Sequence, residues 1–206
     1  MSFYTDMNYY LLLLIIPAYF IGSISFGIVV AKFMNLGNLR LLGSGNIGAT
    51  NVLRTGNKLA AALTLILDGA KGYLVIIATT NFLDLKYLPF TGLAVFVGHI
   101  FPIFLKFKGG KGVATFIGII LAVNPTVGVM VCATWLILAA ITKKSSLAAL
   151  GSSVATPLFL FFDKPDEKVL YAAILAVFIW WLHKDNIKRL ISKTEPSIKL
   201  NQNPGK

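Results

Sequence analysis

A chain of 206 residues that is 56% hydrophobic and only 13% charged, with a mean hydropathy of +0.77, does not read as a soluble domain. Its net charge of +11 would suggest nucleic acid as the partner of a water-soluble protein. Loops beside membrane helices collect the same charge, so a membrane protein with no nucleic acid partner is expected.

The first apolar run, "YYLLLLIIPAYFIGSISFGIVVA", extends from Tyr9 to Ala31 without a charge. Spanning hydrocarbon takes about 20 residues, so it is long enough. No basic stretch precedes it, and Lys32 follows rather than a small-residue cleavage site. It therefore reads as a retained transmembrane helix and not as a signal peptide. Further apolar segments lie at 59–80, 88–105, 112–123, 126–142, 146–162 and 168–183. The expected fold is all-α: a polytopic membrane protein of seven transmembrane helices. The fourth segment is short, and Asn124-Pro125 after it predicts a tight outer turn. Residues 1–190 are expected to form one integral-membrane domain. Residues 191–206, closing on "EPSIKLNQNPGK", are expected to form a disordered cytoplasmic tail. The single cysteine, Cys132, lies in an apolar run and reads as a packing residue. Trp135 and the pair Trp180-Trp181 read as packing or interface aromatics.

The basic residues test this count. Fifteen of the nineteen lie in four places. These hold Lys32, Arg40, Arg54 and Lys58; then Lys106, Lys108 and Lys111; then Lys143 and Lys144; and then Lys184, Lys188, Arg189, Lys193, Lys199 and Lys206. The alternate connections hold Lys86, Lys164 and Lys168 against Asp6, Asp84, Asp163, Asp166 and Glu167. The positive-inside rule then places the N-terminus outside and the C-terminus in the cytoplasm. The remaining Lys71 lies inside the second segment, three residues from Asp68 on the same helix face. Charges at that depth face the protein interior and are paired. Asp68 and Lys71 are expected to neutralise one another, or Asp68 to pair with His99, in supporting roles.

Four polar, glycine-rich stretches fall on the cytoplasmic side: "GSGNIGATNVLR", "GHIFPIFLKFKGGKG", "KKSSLAALGSS" and "HKDNIKR". Glycines let backbone N–H groups approach an anion, Asn and Ser add donors, and Arg grips phosphate oxygens in pairs. Together they suggest a site for a phosphorylated compound at the cytoplasmic face. Two familiar phosphate motifs fail. "GSGNIG" fits G-x-G-x-x-G, but no strand precedes it. "KGGKG" is no Walker A loop, because Gly112 rather than Ser or Thr follows Lys111.

These stretches resemble the bacterial acyl-phosphate:glycerol-3-phosphate acyltransferases, the PlsY family. The resemblance rests on "GSGNIGATNVLR", "GHIFP…FKGGKGVAT" and "HKDNIKRL" and runs from about Ile21 to Leu190. It implies a seven-helix enzyme of the bacterial inner membrane with its site on the cytoplasmic side. The enzyme would transfer an acyl group from long-chain acyl phosphate to the 1-hydroxyl of glycerol 3-phosphate, giving lysophosphatidic acid and phosphate at the start of phospholipid synthesis. The resemblance admits the enzyme that makes acyl phosphate as a partner, beside the membrane lipid. Carried over by position, it puts active-site groups at Ser44, Asn46, Asn51 and Arg54, a cation at Lys111 with Lys108 and His99 nearby, and His183 and Asn186 at the site. The third stretch departs from the family's S-L-A-S: Ser146 matches its first serine, but Ala149 stands at the second. Neither histidine has the aspartate of an H-x-x-x-x-D acyltransferase, since Phe104 and Lys188 stand at the two positions.

The expected mechanism asks the protein for position and charge. Arg54, Lys111 and glycines Gly43, Gly45 and Gly48 would hold one phosphate, and Lys108, Gly109 and Gly110 the other. Ser44 is grouped with Arg54, Lys111 and His183 as catalytic. Ser146, Asn46, Asn51 and Asn186 are grouped as binding, and Asp68, Lys71 and His99 as supporting. Either His183 or the donor's own phosphate serves as base. No metal-ligand cluster stands in the sequence, so no metal or other cofactor is expected. The competing reading is a membrane transporter of a phosphorylated solute. Transporters place polar groups near the midplane, whereas these motifs gather on one side.

Overall fold

The structure is a computed structural model that describes residues 14–82 and 85–198. Asp6, Asp84, Lys199 and Lys206 of the charge pattern, and the first residues of the opening apolar run, lie outside the described residues. Every regular element among the described residues is helical. We label α1 Leu14–Ser23, α2 Phe26–Phe33, α3 Ala49–Leu53, α4 Lys58–Phe82, α5 Leu88–Ile100, α6 Val113–Val123, α7 Pro125–Thr142, α8 Ser145–Asp163, α9 Glu167–Leu182 and α10 Lys184–Ile191.

Four stretches are long and apolar enough to cross a bilayer: α4, Leu85–Leu105, α7 and α8. The α1–α2 pair makes a fifth if taken as one span, and α6 is a shorter apolar helix. At about 1.5 Å per residue, the 25 residues of α4 extend about 37 Å, more than the ~30 Å hydrocarbon core.

The run from Tyr9 to Ala31 is not one straight helix. It breaks between Ser23 and Phe26, where α1 and α2 meet at 42°. A break frees backbone carbonyls, and in a lipid environment each needs a partner. Lys71 Nζ supplies one, donating to Gly22 O at 2.9 Å and to Ile24 O at 2.8 Å. It also donates to Asp68 Oδ1 at 2.8 Å. The intramembrane lysine is thus the clasp of a broken helix.

Helices in lipid associate by close packing rather than by escape from water, so small residues gather at crossings. α4 crosses α6 with backbones nearly touching. A Cβ on Gly118 would lie 2.0 Å from Gly69 O, and one on Gly72 would lie 2.5 Å from Thr115 O. Thr115 Oγ1 donates to Asp68 O at 2.9 Å across the same crossing. The main core joins α4–α9 around Phe96, Phe116, Ile119, Ile120, Leu175 and Ile179, all fully buried. The turn between α6 and α7 is Asn124, whose side chain accepts from Val127 N at 3.0 Å and caps α7.

A second core of Val30, Ala31, Leu39, Val52, Ala60 and Ala61 sits under the 34–57 connection. It fixes the glycine-rich loop and α3 onto the start of α4. The chain after α10 turns back rather than trailing away. Ile198 N donates to Lys143 O at 2.9 Å, and Glu195 is 5% exposed. This differs from the disordered tail expected from 191. Polar partners on other elements hold Glu195, Ser197 and Ile198, while 199–206 lie outside the described residues.

Candidate active site

A cleft of about 820 Å³ opens between α3, α4, α6, α7 and α8, with His183 and Asn186 closing one end. That end is polar: Ser44, Asn46, Asn51, Arg54, Lys111, Ser146 and Glu195 line it. The other end is an apolar arm walled by Leu65, Ile66, Tyr73, Leu74, Ile117, Leu121 and Leu136. Its α4 wall is one helix face, at spacings of three and four.

The first motif builds the polar end by folding onto itself. Gly43, at φ +50°, turns the chain so closely that a Cβ would lie 2.6 Å from Arg54 Cδ. Asn51 is 2% exposed and donates from Nδ2 to Leu39 O and Asn46 O, at 2.8 and 2.7 Å. Its Oδ1 accepts from Ser44 N at 3.2 Å and from Arg54 Nη1 at 3.1 Å. Arg54 also donates from Nη1 to Ser44 Oγ at 3.2 Å. G-x-G-x-x-G here shapes a loop around an arginine. Gly45, at φ +68°, continues the turn, and Gly48 precedes α3.

The second and last motifs meet across the cleft. Lys111 Nζ donates to Asn186 Oδ1. Burial pushes Lys111 down to about 8, Arg189 and Arg54 add to this, and Glu195 and Asp185 oppose it. His183 sits just past the end of α9. Its Nδ1–H donates to Ile179 O at 2.8 Å, which leaves Nε2 as the acceptor nitrogen. Burial and then Lys111 push this imidazole down to about 4, so it is neutral at pH 7.

Glu195 completes the polar end, and sequence reading missed it. Its carboxylate accepts from Asn186 Nδ2 at 2.6 Å and from Arg189 Nε at 2.7 Å. Lys144 Nζ donates to its backbone carbonyl. Burial would raise its pKa, but Ser146, Asn186 and Arg189 around the carboxylate bring it below the ordinary value. Ser197 O also accepts from Arg54 Nη2 at 3.3 Å.

The expected supporting group is divided by this wall. Asp68 and His99 line the cleft, while Lys71 does not. Asp68 Oδ1 stands 3.5 Å from His99 Nδ1. Gly110 lies flat on the His99 ring, where a Cβ would be 2.3 Å from Nε2, and its N–H donates to His99 O at 3.2 Å. A Cβ on Gly109 would be 2.1 Å from that same oxygen. Neither glycine lines the cleft, nor does Lys108, which is exposed and whose carbonyl accepts from Arg40 Nη2 at 2.5 Å. The expected second phosphate cradle is therefore not assembled at the cleft; these glycines let the chain pass over His99 and deliver Lys111. Among the described residues no three His, Cys, Asp or Glu side chains come together as metal ligands.

A family model described as glycerol-3-phosphate acyltransferase matches residues 12–193. A glycerol-3-phosphate acyltransferase of Roseobacter denitrificans is 52% identical over 181 residues, 87% of this chain and 90% of that one. Its counterpart in Jannaschia sp. is 49% identical, covering 88% and 89% of the two chains. A crystal structure of PlsY, an integral membrane glycerol 3-phosphate acyltransferase in its glycerol 3-phosphate form, superimposes with a TM-score of 0.85 at 40% identity. It covers 91% of this chain and 94% of that chain. The lysophosphatidic acid form of PlsY gives a TM-score of 0.82 at 39% identity. A cleft with a cationic, amide-lined head and an apolar arm thus stands on a fold shared with these enzymes, and the chain belongs to the glycerol-3-phosphate acyltransferase family.

Proposed function

We propose that this protein transfers the acyl group of a long-chain acyl phosphate to the 1-hydroxyl of glycerol 3-phosphate. One observation carries the reading: Arg54 and Lys111 converge on the polar end of a cleft whose other end is apolar. Such a cleft fits a small phosphorylated acceptor at its head and an alkyl chain in its arm. The arm's walls include the exposed Leu65, Ile66 and Leu74, so the chain enters sideways from the bilayer.

Arg54, Lys111, Ser44 and Asn186 hold the acceptor phosphate, and Ser146 and Asn46 add polar contacts. The glycerol hydroxyl then lies near the acyl carbon, in the 3–3.5 Å range that transfer requires. His183 Nε2 accepts a hydrogen bond from that hydroxyl and orients it. The hydroxyl oxygen bonds to the acyl carbon, the mixed-anhydride C–O bond breaks, and the proton leaves with the departing phosphate. An acyl phosphate is reactive enough that the protein supplies position and charge rather than a nucleophile.

The same reading sets the protein in the bacterial inner membrane as seven spans, with α6 and α9 as the short ones. The N-terminus faces outward and the site faces the cytoplasm, from which glycerol 3-phosphate would enter and where the enzyme making acyl phosphate would be a partner. The charge pattern and the gathering of the polar motifs at one end support this. A transporter would need those groups reachable from both faces.

Detergent-purified protein given glycerol 3-phosphate with palmitoyl phosphate, or with palmitoyl-CoA, tests the donor. Lysophosphatidic acid from the phosphate alone is the expected result. Product from the CoA thioester alone would overturn the assignment of donor.

A further inference from the structure

The indole Nε1 of Trp135 is buried and has no hydrogen-bond acceptor. A buried donor left unpaired costs about 1–3 kcal/mol, and buried indoles ordinarily find a partner. Phenylalanine would fill much of the same space without that cost. Of the other buried polar atoms without a hydrogen bond, Ser23 and Ser25 lie at the α1–α2 break and Tyr171 over Gly92, while Ser146 Oγ and His99 Nδ1 line the cleft beside the carboxylates of Glu195 and Asp68. Trp135 differs because it lines the cleft away from those carboxylates, among Cys132 and Leu136 of α7.

Its place in the cleft is informative. α7 returns beside α6 after the single-residue turn at Asn124. Gly128 packs on Leu121, where a Cβ would lie 2.5 Å from Leu121 Cα. Seven residues further, two turns of helix, Trp135 comes level with Ala114. Ala114 O lies 3.5 Å from the Cβ position of Gly69, next to Asp68. Toward the cytoplasm stands Lys111; toward the membrane stand Ile117, Leu121 and Cys132. Trp135 therefore sits at the neck, where the polar head of the cleft becomes its apolar arm.

A molecule with a charged head and an alkyl tail places one group at such a neck: the acyl carbonyl. That oxygen is an acceptor only, and the indole N–H is a donor only. We infer that Trp135 Nε1–H donates to the carbonyl oxygen of the acyl donor. There the hydrogen bond strengthens as the glycerol hydroxyl adds and negative charge gathers on that oxygen. This rests on the acyl-transfer reading above, though not on which leaving group the donor carries. It makes Trp135 a catalytic residue rather than a packing aromatic.

Trp135→Phe keeps a ring in place and removes the donor. In detergent-purified protein, kcat/KM for the acyl donor is expected to fall at least tenfold. KM for glycerol 3-phosphate should stay within twofold, and the thermal midpoint should hold or rise, because an unpaired donor has gone. The opposite result is a donor kcat/KM within threefold of wild type, or a loss matched by a lower midpoint; either removes the inference. A second readout uses Trp180→Phe with Trp181→Phe, which leaves Trp135 as the sole indole of three. A non-transferable acyl phosphonate should shift its emission, while an alkyl phosphate of equal length should not. Equal shifts with both, or none with either, would speak against the contact. Wild type run in parallel separates the two readings. Wild-type transfer with an unchanged Trp135→Phe ends this inference alone, whereas a wild type inactive with palmitoyl phosphate and palmitoyl-CoA ends the acyl-transfer reading and with it this one.

Discussion

Glu195 holds the amide of Asn186 in one orientation. The carboxylate takes Asn186 Nδ2 at 2.6 Å, so Asn186 Oδ1 is the atom turned toward Lys111 Nζ. Arg189 grips the other carboxylate oxygen at 2.7 Å. A residue beyond the last helix thereby positions the cation of the cleft through one side chain. Charge-assisted hydrogen bonds of this kind contribute about 1.5–3 kcal/mol. Glu195→Gln is expected to lower kcat/KM for glycerol 3-phosphate ten- to a hundredfold, and Glu195→Asp less. Steady-state kinetics on the two variants, with circular dichroism to check the fold, decide the matter. A Glu195→Gln enzyme of wild-type efficiency would remove the positioning role.

Lys111 gives the protein a pH limb. Its folded pKa is lowered to about 8, chiefly by burial, so it is charged below that pH and neutral above it. The cation is what binds a phosphate, so kcat/KM for glycerol 3-phosphate should fall as pH rises through about 8. Lys111→Arg, which stays charged, should lack this limb even if its overall rate is lower. A profile from pH 6 to 10 on both proteins makes the comparison.

The clasp at the helix break responds to mutation asymmetrically. Removing one member of a buried pair leaves an uncompensated charge, at about 3–5 kcal/mol. Lys71→Met and Asp68→Asn should each lower the thermal midpoint by several degrees. The double variant should be less damaged than the sum of the two. Additive losses would mean that Asp68 and Lys71 do not act as a pair.

Two glycines are expected to be intolerant for different reasons. Gly118→Ala forces a methyl to within 2.0 Å of Gly69 O and must part α4 from α6, so loss of stability dominates. Gly110→Ala strikes the His99 ring at 2.3 Å beside Lys111. There we expect KM for glycerol 3-phosphate to rise severalfold with a smaller fall in midpoint. Thermal scans and kinetics on both separate the two effects.

The head of the cleft was legible in the sequence because its chemistry is concentrated. Ser44, Asn46, Asn51 and Arg54 occupy one short stretch, Lys111, His183 and Asn186 stand in two more, and Ser146 lies in a stretch that departs from the family pattern at Ala149. Glu195 was not legible. A short polar segment with a proline after the last helix has the composition of a free tail, and its partners Lys144, Asn186 and Arg189 are fixed only by tertiary packing. Glycine carries a similar ambiguity. Gly109 and Gly110 sit beside lysines as phosphate-binding glycines do, yet the close approach they permit is to His99. The break in the first apolar run was hidden because hydropathy reads composition and not hydrogen bonding. Lys71, a charge with no local reason, was its signal.

In the proposed function Arg54 and Lys111 together hold the acceptor phosphate at the head of this cleft. It is tested most directly by kcat/KM for glycerol 3-phosphate in Arg54→Ala and Lys111→Ala, with palmitoyl phosphate as donor. Each substitution is expected to lower the value at least a hundredfold while the helical spectrum is unchanged. A folded variant of either kind that stays within threefold of wild type would mean that the acceptor phosphate is held elsewhere.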